Sequence, residues 1–81
     1  MDTARFEVKG EGIESIQVQI FDLSGRRIFD SLELPGGTFE WHLEDENGEV
    51  VANGVYLYLV TARGIEGQVF RSKVNKLVIL R

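Results

Sequence analysis

The sequence contains no cysteine, a single proline and a single histidine among its 81 residues. Without cysteine the chain can form neither a disulfide scaffold nor a zinc site made of thiolates. No apolar run approaches the roughly 20 residues that cross a bilayer, so we expect no membrane insertion. Residues 1–6 have neither the basic region nor the apolar region of a signal peptide. A chain of this length corresponds to one domain, which we place at residues 1–81.

The net charge of −4 argues against nucleic-acid binding and is distributed unevenly along the chain. The segment 30–49 has no Lys or Arg and holds Asp30, Glu33, Glu40, Glu44, Asp45, Glu46 and Glu49. The segment 63–81 is basic and holds Arg63, Arg71, Lys73, Lys76 and Arg81 against Glu66. We expect the two segments to be neighbours whose charges offset each other. The alternative is a basic edge that docks an acidic partner.

Apolar and polar residues alternate with a period of two, and no helical periodicity is sustained. The apolar residues 16, 18 and 20 enclose Gln17 and Gln19. The apolar residues 39, 41 and 43 likewise alternate with polar residues 38, 40 and 42. Residues 55–60 are apolar or aromatic at every position, which predicts a central strand covered on both faces.

Turn residues separate these segments. They stand at residues 22–25, 35–37, 47–48, 53–54 and 64–67, and most of these turns contain glycine after Asp, Asn or Ser. Strands divided by turns every 8–12 residues or so are typical of a β-sandwich. The sequence therefore predicts an all-β, antiparallel sandwich of about seven strands, with no internal repeat and no linker.

The predicted structural core combines the alternating residues with the large aromatic ones. It consists of Val18, Ile20, Trp41, Tyr56 and Tyr58. We expect Trp41 to lie between the two sheets, with a tyrosine hydroxyl reaching the backbone beside it. The alternative interpretation of the same aromatic residues is an exposed platform on which a sugar ring stacks.

Few residues are candidates for chemistry. His42 is predicted to face solvent, and no serine or cysteine nucleophile motif accompanies it, so no catalytic triad can form and we expect no enzyme. Asp22 beside Asp30 could act as a carboxylate pair, but turn chemistry explains Asp22 on its own.

The one candidate metal site is an acidic loop. Asp45, Glu46, Asn47 and Glu49 are oxygen donors of the kind that Ca²⁺ prefers, but they lack the spacing of a twelve-residue calcium loop. We interpret the loop as a solvated hairpin tip, and we expect neither a metal nor a cofactor.

Three stretches resemble a known family. Residues 18–28, VQIFDLSGRRI, resemble a hairpin motif V-x-V/I-Y/F-D-L-x-G-R-x-V. Residues 36–58 carry the pattern G-x-x-x-x-W followed by D-x-x-G and G-V-Y-x-Y, and residues 76–81, KLVILR, resemble a terminal K-L-V-V-x-R/K. Together they are similar to the immunoglobulin-like domain of the flagellar hook-capping (FlgD-like) family. Related modules form the C-termini of many exported bacterial proteins, and some are type IX secretion sorting domains.

The resemblance implies an immunoglobulin-like sandwich and an accessory role. We expect a C-terminal fragment of a larger secreted or cell-surface protein, monomeric in isolation, that serves as a cap, a spacer or a surface docking other domains of its parent or a secretion partner. The alternatives are a type IX-like sorting signal and, less favoured, a carbohydrate or surface-adhesion module. The candidate sorting or docking strand consists of Lys76, Leu77, Val78, Ile79, Leu80 and Arg81.

Overall fold

The computed structural model describes residues 2–81, which form an all-β, immunoglobulin-like sandwich of antiparallel strands, as the sequence predicts. The strands are β1 (Ala4–Glu7), β2 (Ile13–Phe21), β3 (Arg27–Asp30), β4 (Leu34–Pro35), β5 (Thr38–Trp41), β6 (Gly54–Gly64), β7 (Val69–Arg71) and β8 (Asn75–Ile79). Residues 2–81 contain no helix that is long and apolar enough to cross a membrane.

The larger sheet is built around β2 and β6, which pair along most of their length with Val18 opposite Val60 and Ile20 opposite Tyr58. Short strands flank this pair. On the outer side of β2 lie β3 and β4, and on the outer side of β6 lie β7 and β8. The smaller sheet contains only β1 and β5, with Phe6 opposite Phe39.

The core lies between the two sheets and is formed by the alternating residues of the sequence. The residues that are buried are Ala4, Phe6, Ile16, Val18, Ile20, Trp41, Leu43, Val51, Ala62 and Ile79. Trp41 is only 1% exposed, and its indole Nε1 donates a hydrogen bond to the Glu44 carbonyl at 2.9 Å. Tyr56 and Tyr58 are half-buried and pack against this cluster.

The larger sheet consists of two similar units, β2–β4 (the first unit) and β6–β8 (the second unit). In each unit, a long strand is followed by a turn and a short partner strand. A serine comes directly after this short strand, and a second short strand follows. The Ser31 amide donates to the Val18 carbonyl at 2.9 Å, and the Ser31 hydroxyl accepts from the Val18 amide at 2.8 Å. Ser72 makes the same pair of bonds with Val60, at 2.8 and 2.9 Å.

Two sequence predictions about individual strands need correction. Residue 35 is not purely a turn residue, because Pro35 lies in β4 opposite Ser15; β4 is an edge strand, where a missing amide is tolerated. The prediction that residues 55–60 are largely covered on both faces holds only in part on the outer face, where Leu57 and Leu59 are half-buried. The smaller sheet covers one side of the larger sheet only, which leaves Val55 on the other side 38% exposed.

Candidate functional site

The acidic residues at 45–49 form a hairpin turn that is held by its own hydrogen bonds. The Asp45 amide donates to the Glu49 carbonyl at 2.8 Å, and the Gly48 amide donates to the Asp45 carbonyl at 3.0 Å. The Asp45 carboxylate Oδ1 accepts from the amides of Asn47 and Glu49 at 2.9 and 3.0 Å. Gly48 has a φ of 81°, which favours glycine at this position.

The turn that follows β2 has the same construction. The Asp22 Oδ1 accepts from the Ser24 amide at 2.9 Å, the Ser24 hydroxyl at 2.6 Å and the Arg26 amide at 3.0 Å. The Ser24 hydroxyl and the Arg26 amide lower the pKa of Asp22. In both acidic turns, one oxygen of the Asp carboxylate is therefore used to hold the backbone of the turn. No group of three His, Cys, Asp or Glu side chains within residues 2–81 could hold a metal ion.

Asp30 does not combine with Asp22 into a catalytic pair, because its carboxylate has its own partners. It accepts from the amide groups of Gln17 at 2.9 Å and Gln19 at 3.3 Å, and from the Leu32 backbone amide at 2.8 Å. Burial alone would raise the pKa of Asp30, but the hydrogen bonds and the charge of Arg27 together lower it. His42 is exposed.

Five of the aromatic side chains pack on one another in an internal row. Phe29 packs on Phe39 and on Trp41, with ring centroids 5.9 Å apart in both pairs. The Tyr58 ring meets the Phe6 ring edge to face at 5.0 Å. The Tyr56 hydroxyl donates to the Ala52 carbonyl at 2.7 Å. The sugar-stacking interpretation of Trp41 is therefore wrong, because a buried indole face cannot receive a sugar.

The C-terminal segment is integrated into the larger sheet. β8 pairs with β6, with Leu77 opposite Tyr56 on the face directed to the core and Ile79 fully buried. Beyond β8, the Arg81 amide donates to the Asn53 side chain at 3.2 Å, and the Arg81 guanidinium donates to the same oxygen and to the Val51 carbonyl. The last residues thus close the sheet against the segment that precedes β6.

The acidic and basic segments meet at one ion pair only. Arg63 contacts the Glu33 carboxylate at 2.7 Å, and this contact lowers the pKa of Glu33 and raises that of Arg63. Within residues 2–81, no acid lies within 4.0 Å of the basic groups of the second unit's edge, which are those of Arg71, Lys73 and Lys76. The expected offsetting of charge is therefore limited to Glu33 and Arg63, and a basic edge remains.

An open groove runs along β1 on the side away from β5. It has a volume of about 630 Å³, and its floor contains Tyr58, Val60 and Ala62. One wall is β1 itself, and the other contains Phe70 and Ser72. We call it the β1 groove. Sequence reasoning missed it, although one signal was present: Gly67-Gln-Val-Phe-Arg-Ser72 resembles Gly25-Arg-Arg-Ile-Phe-Asp-Ser31 and marks Phe70 as the counterpart of Phe29.

Searches with the sequence match no family model and no curated protein. Two solved structures share the fold. One is dimeric latent PorU from Porphyromonas gingivalis, with a TM-score of 0.73 and 22% identity. The other is FlgD from Xanthomonas campestris, which is involved in the hook capping essential for flagellar assembly, with a TM-score of 0.68 and 24% identity.

Each match covers 95% of this chain but only part of the other protein, 8% of PorU and 57% of FlgD. The chain therefore corresponds in size to one domain within each of these larger proteins. At this level of identity the likeness concerns the fold. The resemblance to the immunoglobulin-like domain of the hook-capping family, stated from the sequence, is confirmed as a likeness of fold that this chain shares with FlgD and with PorU.

Proposed function

We propose that this chain is a non-catalytic accessory module of a larger exported or cell-surface protein, where it acts as a cap and as a surface that docks a polypeptide. The observation that carries this proposal is the β1 groove, an open groove with an apolar floor beside a strand edge that has no partner strand within residues 2–81. The side chains that suggested chemistry have structural roles instead. Asp22 and Asp45 hold turns, and Trp41 fills the core.

The cap role is supported by the way the chain closes. Ile79 is buried and Arg81 is bonded to Asn53 and Val51, so the last strand stabilises the sheet to which it belongs. Export is supported by the likeness in fold to parts of PorU and FlgD.

The accessory role is tested in the full-length protein that carries this domain. Deletion of the domain should leave the activity of the remaining chain unchanged per folded molecule. It should also reduce the amount retained at the cell surface. Loss of activity per folded molecule would contradict an accessory role, and unchanged retention would contradict the cap role.

A sorting signal is the second candidate, because one face of β8 is accessible from outside. Lys76 is exposed and Val78 is 50% exposed on the face opposite the core. Exchange of Lys76 and Val78 for serine should leave the melting temperature within a few degrees. If these side chains are read during export, the double variant of the full-length protein accumulates inside the cell. Normal export of this stable variant would eliminate the sorting candidate.

A further inference from the structure

The two units of the larger sheet differ in what covers them. Phe29 of the first unit lies opposite Ile20 and is covered by Phe39 and Trp41 of β5. Phe70 of the second unit lies opposite Ala62 in the corresponding position. Among residues 2–81, no strand takes the place of β5 above it, and Phe70 is 55% exposed.

The edge of β1 that borders this uncovered area is unpaired. The Val8 amide donates to the Gly37 carbonyl at 2.8 Å, on the side of β5. Because backbone groups alternate in direction along an antiparallel strand, Phe6 also directs its amide and carbonyl to β5. Arg5 and Glu7 then direct theirs to the opposite side, into the β1 groove. β1 has β5 as its only partner strand among residues 2–81.

The β1 groove has the width of one strand. β1 lies above β6, as the contact between the rings of Phe6 and Tyr58 shows. Beyond β6, the larger sheet continues by one further row, β7 and β8, which adds about 4.8 Å. A second copy that paired through its own β1 would bring its own β7 and β8 into the same space. The dimensions therefore favour a single extended peptide over a second copy of this chain.

The charged side chains on the rim of the β1 groove favour one sign of charge in a bound peptide. Glu7, the acid on this rim, already contacts Arg5 at 3.4 Å and Lys9 at 3.7 Å. The β1 side of the rim therefore carries two basic side chains against one acidic side chain. Arg71 borders the opposite wall, but it pairs with Thr61, so its side chain leaves β7 on the face that Val69 shares, away from the groove. This local excess of positive charge favours acidic side chains in the bound peptide.

We propose that the β1 groove binds one extended peptide strand of a partner polypeptide, in which apolar residues alternate with acidic ones. The peptide adds to β1 through the backbone groups of Arg5 and Glu7, as strands add to open sheet edges. Its apolar side chains cover Phe70 and Val60 as β5 covers Phe29, and its acidic side chains face the basic rim. This inference deepens the docking role proposed above and rests on it.

The test uses the isolated domain and a synthetic peptide of about six residues, the length of a typical strand, in which glutamate alternates with valine or phenylalanine. Two matched peptides serve as controls: one with lysine in place of glutamate and one with a central proline. We expect the first peptide to bind in calorimetry, more weakly as salt is raised, and both controls to bind at least about tenfold more weakly.

Two variants locate the site. Phe70→Asp should weaken binding at least about tenfold, because it places a charge in the apolar wall of the groove and repels the acidic peptide. Val69→Asp is the matched control. Val69 is also exposed but lies opposite Arg63 on the other face of the sheet, so its exchange should change affinity less than about threefold. Melting curves of both variants establish that they are folded.

Amide hydrogen exchange distinguishes strand addition from any other contact. When the peptide binds, the amides of Arg5 and Glu7 should become protected, while that of Phe6 is already protected in the free domain. No binding by the acidic peptide at millimolar concentration, or binding that leaves the Arg5 and Glu7 amides unprotected, would overturn this inference. Neither result would affect the accessory role, which is measured by activity and retention of the full-length protein.

Discussion

The two units of the larger sheet are similar in local structure and different in environment. Both contain a glycine turn, an inward-facing phenylalanine and a serine that bonds both backbone groups of a central valine. In the first unit the phenylalanine is covered by β5, whereas in the second unit Phe70 faces an open groove. Local chemistry therefore determines the path of the chain in each unit, while the two-stranded smaller sheet determines which unit has its phenylalanine covered.

The largest expected effect concerns the end of the second unit. A chain ending at Asn75 loses the buried Ile79, the half-buried Leu77 and most of the β8 ladder. Burial of each such side chain contributes about 1.5–3 kcal/mol, and a domain of this size has only about 5 kcal/mol of net stability. The truncated chain should be largely unfolded at room temperature, as circular dichroism and thermal melting will report.

A matched control for the truncation is Arg81→Ala in the full-length domain, which removes the contacts with Asn53 and Val51 but leaves β8 intact. It should melt within several degrees of the unaltered domain. A truncated chain that also melts cooperatively within a few degrees would show that the last strand is an appendage. That result would favour the sorting candidate over the cap.

The second effect compares the two phenylalanines directly. Phe29→Ala leaves a gap beneath Phe39 and Trp41 and should cost about 2–4 kcal/mol, because truncation of a packed aromatic side chain leaves a cavity. Phe70→Ala removes a side chain that is more than half exposed and should cost less than about 1 kcal/mol. Urea unfolding of both variants measures the difference. Equal losses would mean that Phe70 is covered in solution.

The third effect should be the same in both units. Ser31→Ala removes the acceptor of the Val18 amide, and Ser72→Ala removes the acceptor of the Val60 amide, each in a partly buried position. An amide left without an acceptor costs about 1–3 kcal/mol, so both variants should lose similar amounts of stability in urea unfolding. A loss confined to one variant would end the structural analogy between the units.

The smallest effect is a loss of folding stability in acid, and it arises mainly from carboxylates of the first unit. Hydrogen bonds from Ser24 and Arg26 lower the pKa of Asp22, and those from Arg63 and Ser15 lower the pKa of Glu33. A carboxylate whose pKa is lowered by folding stabilises the fold above its unfolded pKa, near 4, and loses this contribution as the pH falls through the folded value.

Unfolding free energies should therefore be lower at about pH 3 than at about pH 6. Asp22→Asn keeps an acceptor oxygen but removes the charge, and it should reduce the difference between the two pH values. The turn of the second unit has Gly64 at the corresponding position and cannot contribute in this way. If Asp22→Asn leaves the pH dependence unchanged, the Asp22 carboxylate has no part in it.

Alternation made much of this architecture predictable. The residues at 16, 18 and 20 and at 39, 41 and 43 lie on the faces that their spacing assigns, and Asp22 caps its turn as expected. What alternation could not show is what lies across from a face. An apolar run such as residues 55–60 has the same pattern whether one side or both are covered, so the exposure of Val55 on the outer face of β6 was missed.

The β1 groove was unpredictable for the same reason. The sequence marks Phe70 as an apolar strand residue, but its exposure results from a neighbouring strand that the smaller sheet does not have. Pairing of charges was equally hard to foresee. Of the acidic segment, Glu33 contacts Arg63, while Asp30 and Glu46 contact Arg27 instead of the distant basic segment.

One side of the sandwich is open along β1. Residue-resolved amide hydrogen exchange of the free domain measures this opening. We predict that the amides of Phe6 and Val8, which are directed to β5, exchange slowly, while those of Arg5 and Glu7, directed into the β1 groove, exchange almost as fast as in an unfolded chain. Slow exchange at all four amides would contradict an open edge, because it would mean that the edge of β1 is already occupied.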